Sequence, residues 1–176
     1  MAVEIKADAV KALREETGAG IMDCKRALQE SQGDMEQAKA YLRQRGFEVA
    51  AKKSSREANQ GIVESYIHGG GRIGVLLELN CETDFVARNA DFQWLARELA
   101  MQIAAMNPRW ASPEDATAED RTQEQLSDEQ IKGLSLLSQP YIRDQSRTID
   151  QLITETIAKT GENIRLRRFT RYELGK

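Results

Sequence analysis

Ile73-Gly74-Val75-Leu76-Leu77-Glu78-Leu79-Asn80-Cys81-Glu82-Thr83-Asp84-Phe85-Val86-Ala87 is the stretch from which the architecture is read. Ile73 to Leu79 is almost wholly apolar, which fits a central strand covered on both faces. Upstream, Gly61-Ile62-Val63-Glu64-Ser65-Tyr66-Ile67-His68 is strand-like, and Gly69-Gly70-Gly71 supplies a turn in which positive φ is cheap. Residues 61–80 therefore read as a β-hairpin whose return strand is Arg72 to Asn80. At Asp84 the period becomes helical. Phe92, Leu95, Leu99, Ile103 and Met106 recur at i+3 and i+4 until Asn107-Pro108. Either Asn89 or Asp91 can cap a second helix, which would leave Asp84-Phe85 on a short turn of its own.

On the N-terminal side, residues 1–46 read as three short helices. Val3, Ala7, Val10 and Leu13 set the first, which stops at Gly18. Ile21, Cys24, Ala27 and Leu28 share one face of the second, which stops at Gly33. Asp34 caps the third, with Gln37 three residues on in a capping-box pattern; Ala38, Tyr41 and Leu42 face inward and Gly46 ends it. Three helices in about 45 residues bury only a small core. Residues 47–60, with Lys52-Lys53-Ser54-Ser55-Arg56, read as a basic linker with room for some helix. Residues 61–176 then form the main unit. Within it, residues 113–130 carry seven acids, one base and one large apolar residue, Leu126, and read as a surface loop or loosely held helix. Ile131 to Leu137 reads as helix until Pro140. Thr148 with Gln151 makes another capping box; Ile149, Leu152, Ile153 and Ile157 face the core behind it, and Gly161 ends that helix. Asn163 to Tyr172 is a final strand carrying Arg165, Arg167, Arg168 and Arg171, read as an edge or solvated face.

The 176 residues are 40% apolar and 30% charged, which is globular rather than disordered composition. A net charge of −3 leaves no strong field for nucleic acid phosphates. Two cysteines, Cys24 and Cys81, make no disulfide framework and no zinc spacing, and they point to a reducing compartment. The N-terminal residues lack the apolar core of a secretory signal, and no apolar run approaches a membrane span. A cytoplasmic protein with no membrane partner is expected.

Reactive chemistry is sparse. His68, the single histidine, sits beside the glycine turn, where an exposed residue is expected rather than a metal ligand or base. Cys24 and Cys81 read as packed thiols, with Glu82 raising the pKa of Cys81. Neither glycine cluster is in P-loop or Rossmann context. No active site, metal or cofactor is expected, and no enzymatic conversion. Asp84-Phe85 has two readings. By residue type, Phe85 belongs in the core and Asp84 at a helix start capped by Thr83. Alternatively, an acid beside a ring at the tip of a rigid element acts as a wedge against another molecule.

Several motifs in register resemble the bacterial elongation factor Ts family. They are Leu13-Arg14-Glu15-Glu16-Thr17-Gly18-Ala19-Gly20-Ile21-Met22-Asp23-Cys24-Lys25-Arg26-Ala27-Leu28, Asn80 to Ala87, Gln139-Pro140-Tyr141-Ile142 and Gly161-Glu162-Asn163-Ile164. The resemblance implies an α+β fold: an N-terminal three-helix domain similar to ubiquitin-associated domains, then an α+β core with a three-stranded antiparallel sheet. It also implies a guanine-nucleotide exchange factor for elongation factor Tu, bound in its GDP-loaded and nucleotide-free forms. The partner-binding residues it implies are Thr83, Asp84, Phe85 and Val86 near the partner's magnesium and nucleotide, with Arg14, Ile21, Met22 and Lys25 on the N-terminal domain. At this length the chain resembles the short form of the family, with residues 113–138 trimmed. That form implies a homodimer joined through its sheets and a two-to-two complex. Two other readings stand beside it: a non-catalytic adaptor using the three-helix domain, and an RNA-binding protein using Lys52, Lys53, Arg56 and the arginine strand.

Overall fold

The computed structural model describes residues 5–176. Three helices open the chain: α1 (Ala7–Thr17), α2 (Ile21–Glu30) and α3 (Met35–Lys53). Val3, which the periodicity assigns to the first helix, lies outside the described residues. Gly18 takes the left-handed conformation that ends α1, at φ 67°. The Asp34 side chain caps α3 by accepting from the N–H of Gln37 at 2.8 Å. Leu13, Cys24, Ala27, Leu28 and Ala38 form a small core of their own.

Two expectations for this region change. Ile21 is not on the inner face of α2: it is exposed, while Cys24, Ala27 and Leu28 are buried. Gly46 does not end α3 either. The helix continues to Lys53, and Gly46 is buried inside it, where a Cβ would stand 3.4 Å from Thr154 Cγ2 and 3.9 Å from the Ala158 Cβ. The glycine sits where α3 crosses α8 rather than at a stop. Half of the stretch read as a linker is therefore helix.

A hairpin of β1 (Gln60–His68) and β2 (Ile73–Cys81) follows, then the four-residue α4 (Asp84–Ala87) and α5 (Ala90–Met106). Asn89 rather than Asp91 caps α5, accepting from the Asp91 N–H at 2.8 Å. Gly61 opens β1 at φ 149°, where any Cβ would overlap the carbonyl of Leu79 across the strand pair. The acidic segment is ordered as two short capped helices, α6 (Ala118–Gln123) and α7 (Asp128–Leu134), with 3₁₀ turns at Pro113–Asp115 and Leu136–Ser138. A small hairpin that sequence patterning does not reveal, β3 (Pro140–Tyr141) with β4 (Asp144–Thr148), precedes α8 (Ile149–Thr160) and β5 (Arg165–Glu173). The Thr148–Gln151 capping box is present and Gly161 ends α8 at φ 76°.

The sheet is three-stranded and antiparallel in the order β1-β2-β5. Together with the helices it makes an α+β protein. One face carries Val75, Leu77 and Leu79 of β2 with Leu166 of β5, packed on Phe92, Leu95, Leu99 and Ile103 of α5. The other face is open. The rows Val63–Glu78–Arg168, Ser65–Leu76–Thr170 and Ile67–Gly74–Tyr172 cross it, and Val63, Ile67, Leu76 and Tyr172 are all exposed. Strand β2 is central, as the apolar run implies, but it is covered on one face only.

Buried polar side chains hang the small hairpin from α5. Gln102 donates to the Pro140 carbonyl at 3.1 Å and accepts from the Ile142 N–H at 3.0 Å. Glu98 accepts from the Tyr141 hydroxyl and pairs with Arg143 at 2.9 Å. The arginine strand is not simply solvated. Arg167 and Arg168 pair with Glu78, and Arg171 is tucked in, donating to the Ala104 carbonyl at 3.2 Å near the end of α5.

Candidate functional site

The Thr83 to Ala87 turn divides its side chains sharply. Val86 and Ala87 are buried in the main core, while Phe85 is 78% exposed. A one-turn helix has little stability of its own. The apolar anchors and the cap hold it: the Thr83 hydroxyl accepts from the Val86 N–H at 3.3 Å. Phe85 is thus projected outward from a fixed base. The expectation that a Phe here is core is overturned, and the capping expectation for Thr83 holds alongside the exposed ring. Asp84 is also exposed and pairs with Arg88 one turn on at 2.9 Å. An exposed i,i+4 pair contributes little, so the carboxylate is free to exchange partners.

Cys81, just before the turn, is buried, and its thiol donates to the Thr83 carbonyl at 3.1 Å. Burial pushes its pKa up to about 11, helped by the negative charges of Glu162 and Asp84. Glu82 is not among the causes, because its carboxylate turns away to accept from the Asn163 N–H at 2.7 Å and to meet Arg56. The thiol is an inert packed group, as is Cys24, also raised by burial.

A second exposed group lies on the N-terminal helices. Ile21 is 59% and Met22 65% exposed in the first turn of α2, and Lys25 follows one turn later on the same side. Arg14 is exposed in the last turn of α1. Among the described residues, no hydrogen bond or ion pair joins this group directly to Thr83–Val86. The connection runs through α3. Lys53 donates to the Gly161 carbonyl, and Asn163 Nδ2 donates to the Arg56 carbonyl at 2.8 Å.

His68 is exposed and stacks on Tyr66. Among the described residues, no group of three or more His, Cys, Asp or Glu is placed to hold a metal. No described helix is long and apolar enough to cross a membrane.

Comparison with known proteins decides the family. The family model for elongation factor Ts matches residues 47–132. Elongation factor Ts of Desulforamulus reducens is 50% identical over 196 positions, covering 98% of this chain and 90% of that protein. That of Rippkaea orientalis is 52% identical over 197 positions, covering 98% and 79%, and that of Heliobacterium modesticaldum 49% over 195, covering 98% and 91%. The chain belongs to the elongation factor Ts family.

It is therefore a translation elongation factor by family. The Desulforamulus alignment spans 196 positions against 176 residues here, so that elongation factor Ts contains at least 20 residues that this chain lacks. Sequence reasoning did not single out two residues that shape the site. Glu162 accepts three hydrogen bonds from Glu82 and Thr83, and buried Asn163 ties that corner to the Arg56 carbonyl, just past α3. The signal available was the Gly161-Glu162-Asn163-Ile164 motif, which carries the resemblance but names no contact.

Proposed function

We propose that this chain is a guanine-nucleotide exchange factor that promotes GDP release from elongation factor Tu, with Phe85 intruding near the partner's magnesium and nucleotide. The observation that carries this reading is the solvent-facing ring on a turn whose neighbours are locked in the core. A large exposed aromatic on a rigid base is the form a binding hot spot takes.

The energetics set what else is needed. A nucleotide held at a nanomolar constant is bound by about 12 kcal/mol. An exchange factor weakens it by preferring the empty partner, and linkage transfers that preference to the nucleotide by the same factor. One buried aromatic supplies about 2–4 kcal/mol, so further contacts must grip the partner. Ile21 and Met22, flanked by Arg14 and Lys25, are that grip, with Thr83 and Val86 supporting the wedge at close range. Asp84 can leave Arg88 to compete for donors around the magnesium. No bond in GDP is made or broken, so the protein is not an enzyme, and its place is the cytoplasm. We take residues 1–46 as the gripping domain, similar to ubiquitin-associated domains, 47–60 as its connection, and 61–176 as the core. A second copy covers the open sheet face, giving a homodimer and a two-to-two complex.

Lys53, Arg56, Arg167, Arg168 and Arg171 make contacts within the protein while Lys52 and Arg165 are exposed, so it is the net charge of −3 that weighs against the RNA-binding reading. Fluorescent GDP release from elongation factor Tu separates the adaptor reading, which predicts no acceleration. Phe85→Ala is expected to keep its circular dichroism spectrum and to slow assisted release about tenfold or more. Full exchange by the folded variant would refute the wedge.

A further inference from the structure

The corner where α8 meets β5 is bonded to the wedge turn far more closely than packing requires. The Glu162 carboxylate takes the N–H groups of Glu82 and Thr83 on Oε2, at 3.1 and 3.0 Å, and the Thr83 hydroxyl on Oε1 at 2.6 Å. A hydroxyl has one proton and two lone pairs. With its proton committed to Glu162, the Thr83 oxygen presents a lone pair to the Val86 N–H at 3.3 Å. The bonds therefore run from Glu162 through Thr83 into the turn that carries Phe85. The bonding is reciprocal, because Glu82 Oε1 accepts from the Asn163 N–H at 2.7 Å. Bonds to an ionised acceptor are the stronger and more directional kind.

Glu162 is not itself part of the core, in which Val86 and Ala87 pack with α5 and β2. What the clamp adds is direction. The same corner receives the end of α3, through Lys53 on the Gly161 carbonyl and Asn163 on the Arg56 carbonyl at 2.8 Å. The geometry points to Glu162 as the positioning residue of the exchange site: by clamping Glu82-Thr83 it sets the angle at which Phe85 leaves the surface, referenced to the helix that leads from the N-terminal grip. This inference rests on the reading of Phe85 as an intruding side chain.

Glu162→Gln keeps size and one oxygen for the two N–H groups, but it removes the charge that strengthens those bonds and sets an amide donor against the Thr83 hydroxyl, which then has to turn its proton away from residue 162. Fluorescent GDP release from elongation factor Tu is measured against factor concentration for the parent, F85A, E162Q and the double variant, with melting curves for each. E162Q is expected to lower the saturating release rate about fivefold while the half-saturating concentration changes less than about twofold. In the F85A background the same replacement is expected to change nothing further. A general loss of structure would instead slow both backgrounds by the same factor, and that result overturns the proposal. Parent-level exchange by E162Q, with F85A impaired, overturns it while leaving the wedge intact. Full exchange by F85A removes the wedge itself. Should E162Q fail to fold, Thr83→Val removes the hydroxyl relay but leaves both N–H bonds to Glu162; the same loss, absent in the F85A background, is expected, and a loss of equal size in both backgrounds counts against it.

Discussion

Phe85 shows how little residue type says about a side chain's surroundings. Phe is among the most often buried residues, and its neighbours Val86 and Ala87 are buried, yet its ring stands in solvent. The Thr83 cap that sequence reveals is real, but a cap fixes only where a helix starts, not which side is covered. Cys81 ties the same turn to pH. Its folded pKa lies above the ordinary value of 9.0, at about 11, so the stability from keeping the thiol protonated is complete below pH 9 and is lost as pH climbs through 11. Tyr141, also raised by burial and then by its bond to Glu98, shifts in the same direction above pH 10. Urea midpoints are expected to hold up to about pH 8.5 and then decline, with Cys81→Ala declining less steeply between pH 9 and 11. A midpoint that rises over that window would show the sign to be wrong.

At the scale of elements, most helix ends were legible. Gly18, Asp34, Thr148 and Gly161 act through bonds within a few residues of themselves, so the local sequence carries their whole signal. Gly46 was misread because its role is a contact with α8, more than a hundred residues away. Gly46→Ala is expected to raise stability by up to about 1 kcal/mol, since the added Cβ meets Thr154 and Ala158 at ordinary contact distance and the helix gains propensity. Gly46→Leu forces α3 off α8 and is expected to cost about 1–3 kcal/mol in urea unfolding. Equal stability of the Leu variant would mean that the two helices are free to separate. The β3–β4 hairpin escaped notice for a similar reason: its polar sequence is held by buried Gln102 and Glu98 of α5 rather than by an alternating apolar face.

At the scale of the molecule, one face of the sheet is left without cover. Val63, Ile67, Leu76 and Tyr172 line it, with Glu78 and its two arginines at one end. Four exposed apolar side chains gathered on one sheet face suit an interaction surface. If a second copy covers it, Leu76→Glu is expected to shift sedimentation from dimer to monomer while leaving circular dichroism unchanged, since Leu76 makes no part of the core. Sedimentation of the parent as a concentration-independent monomer, free and with elongation factor Tu, would sink the dimer.

Local sequence was enough for the β1–β2 hairpin, most of the helices and their caps, because each depends on periodicity or on bonds spanning a few residues. The motifs in register carried the family. Four features came from segments meeting across the chain: the exposure of Phe85, the single covered face of β2, the partial burial of Arg171 and the Glu162 clamp. Periodicity says that a strand or helix has two faces. Which face is buried, and which carboxylate reaches which backbone, is decided by contacts between residues some eighty positions apart, as with Glu162 and Glu82-Thr83.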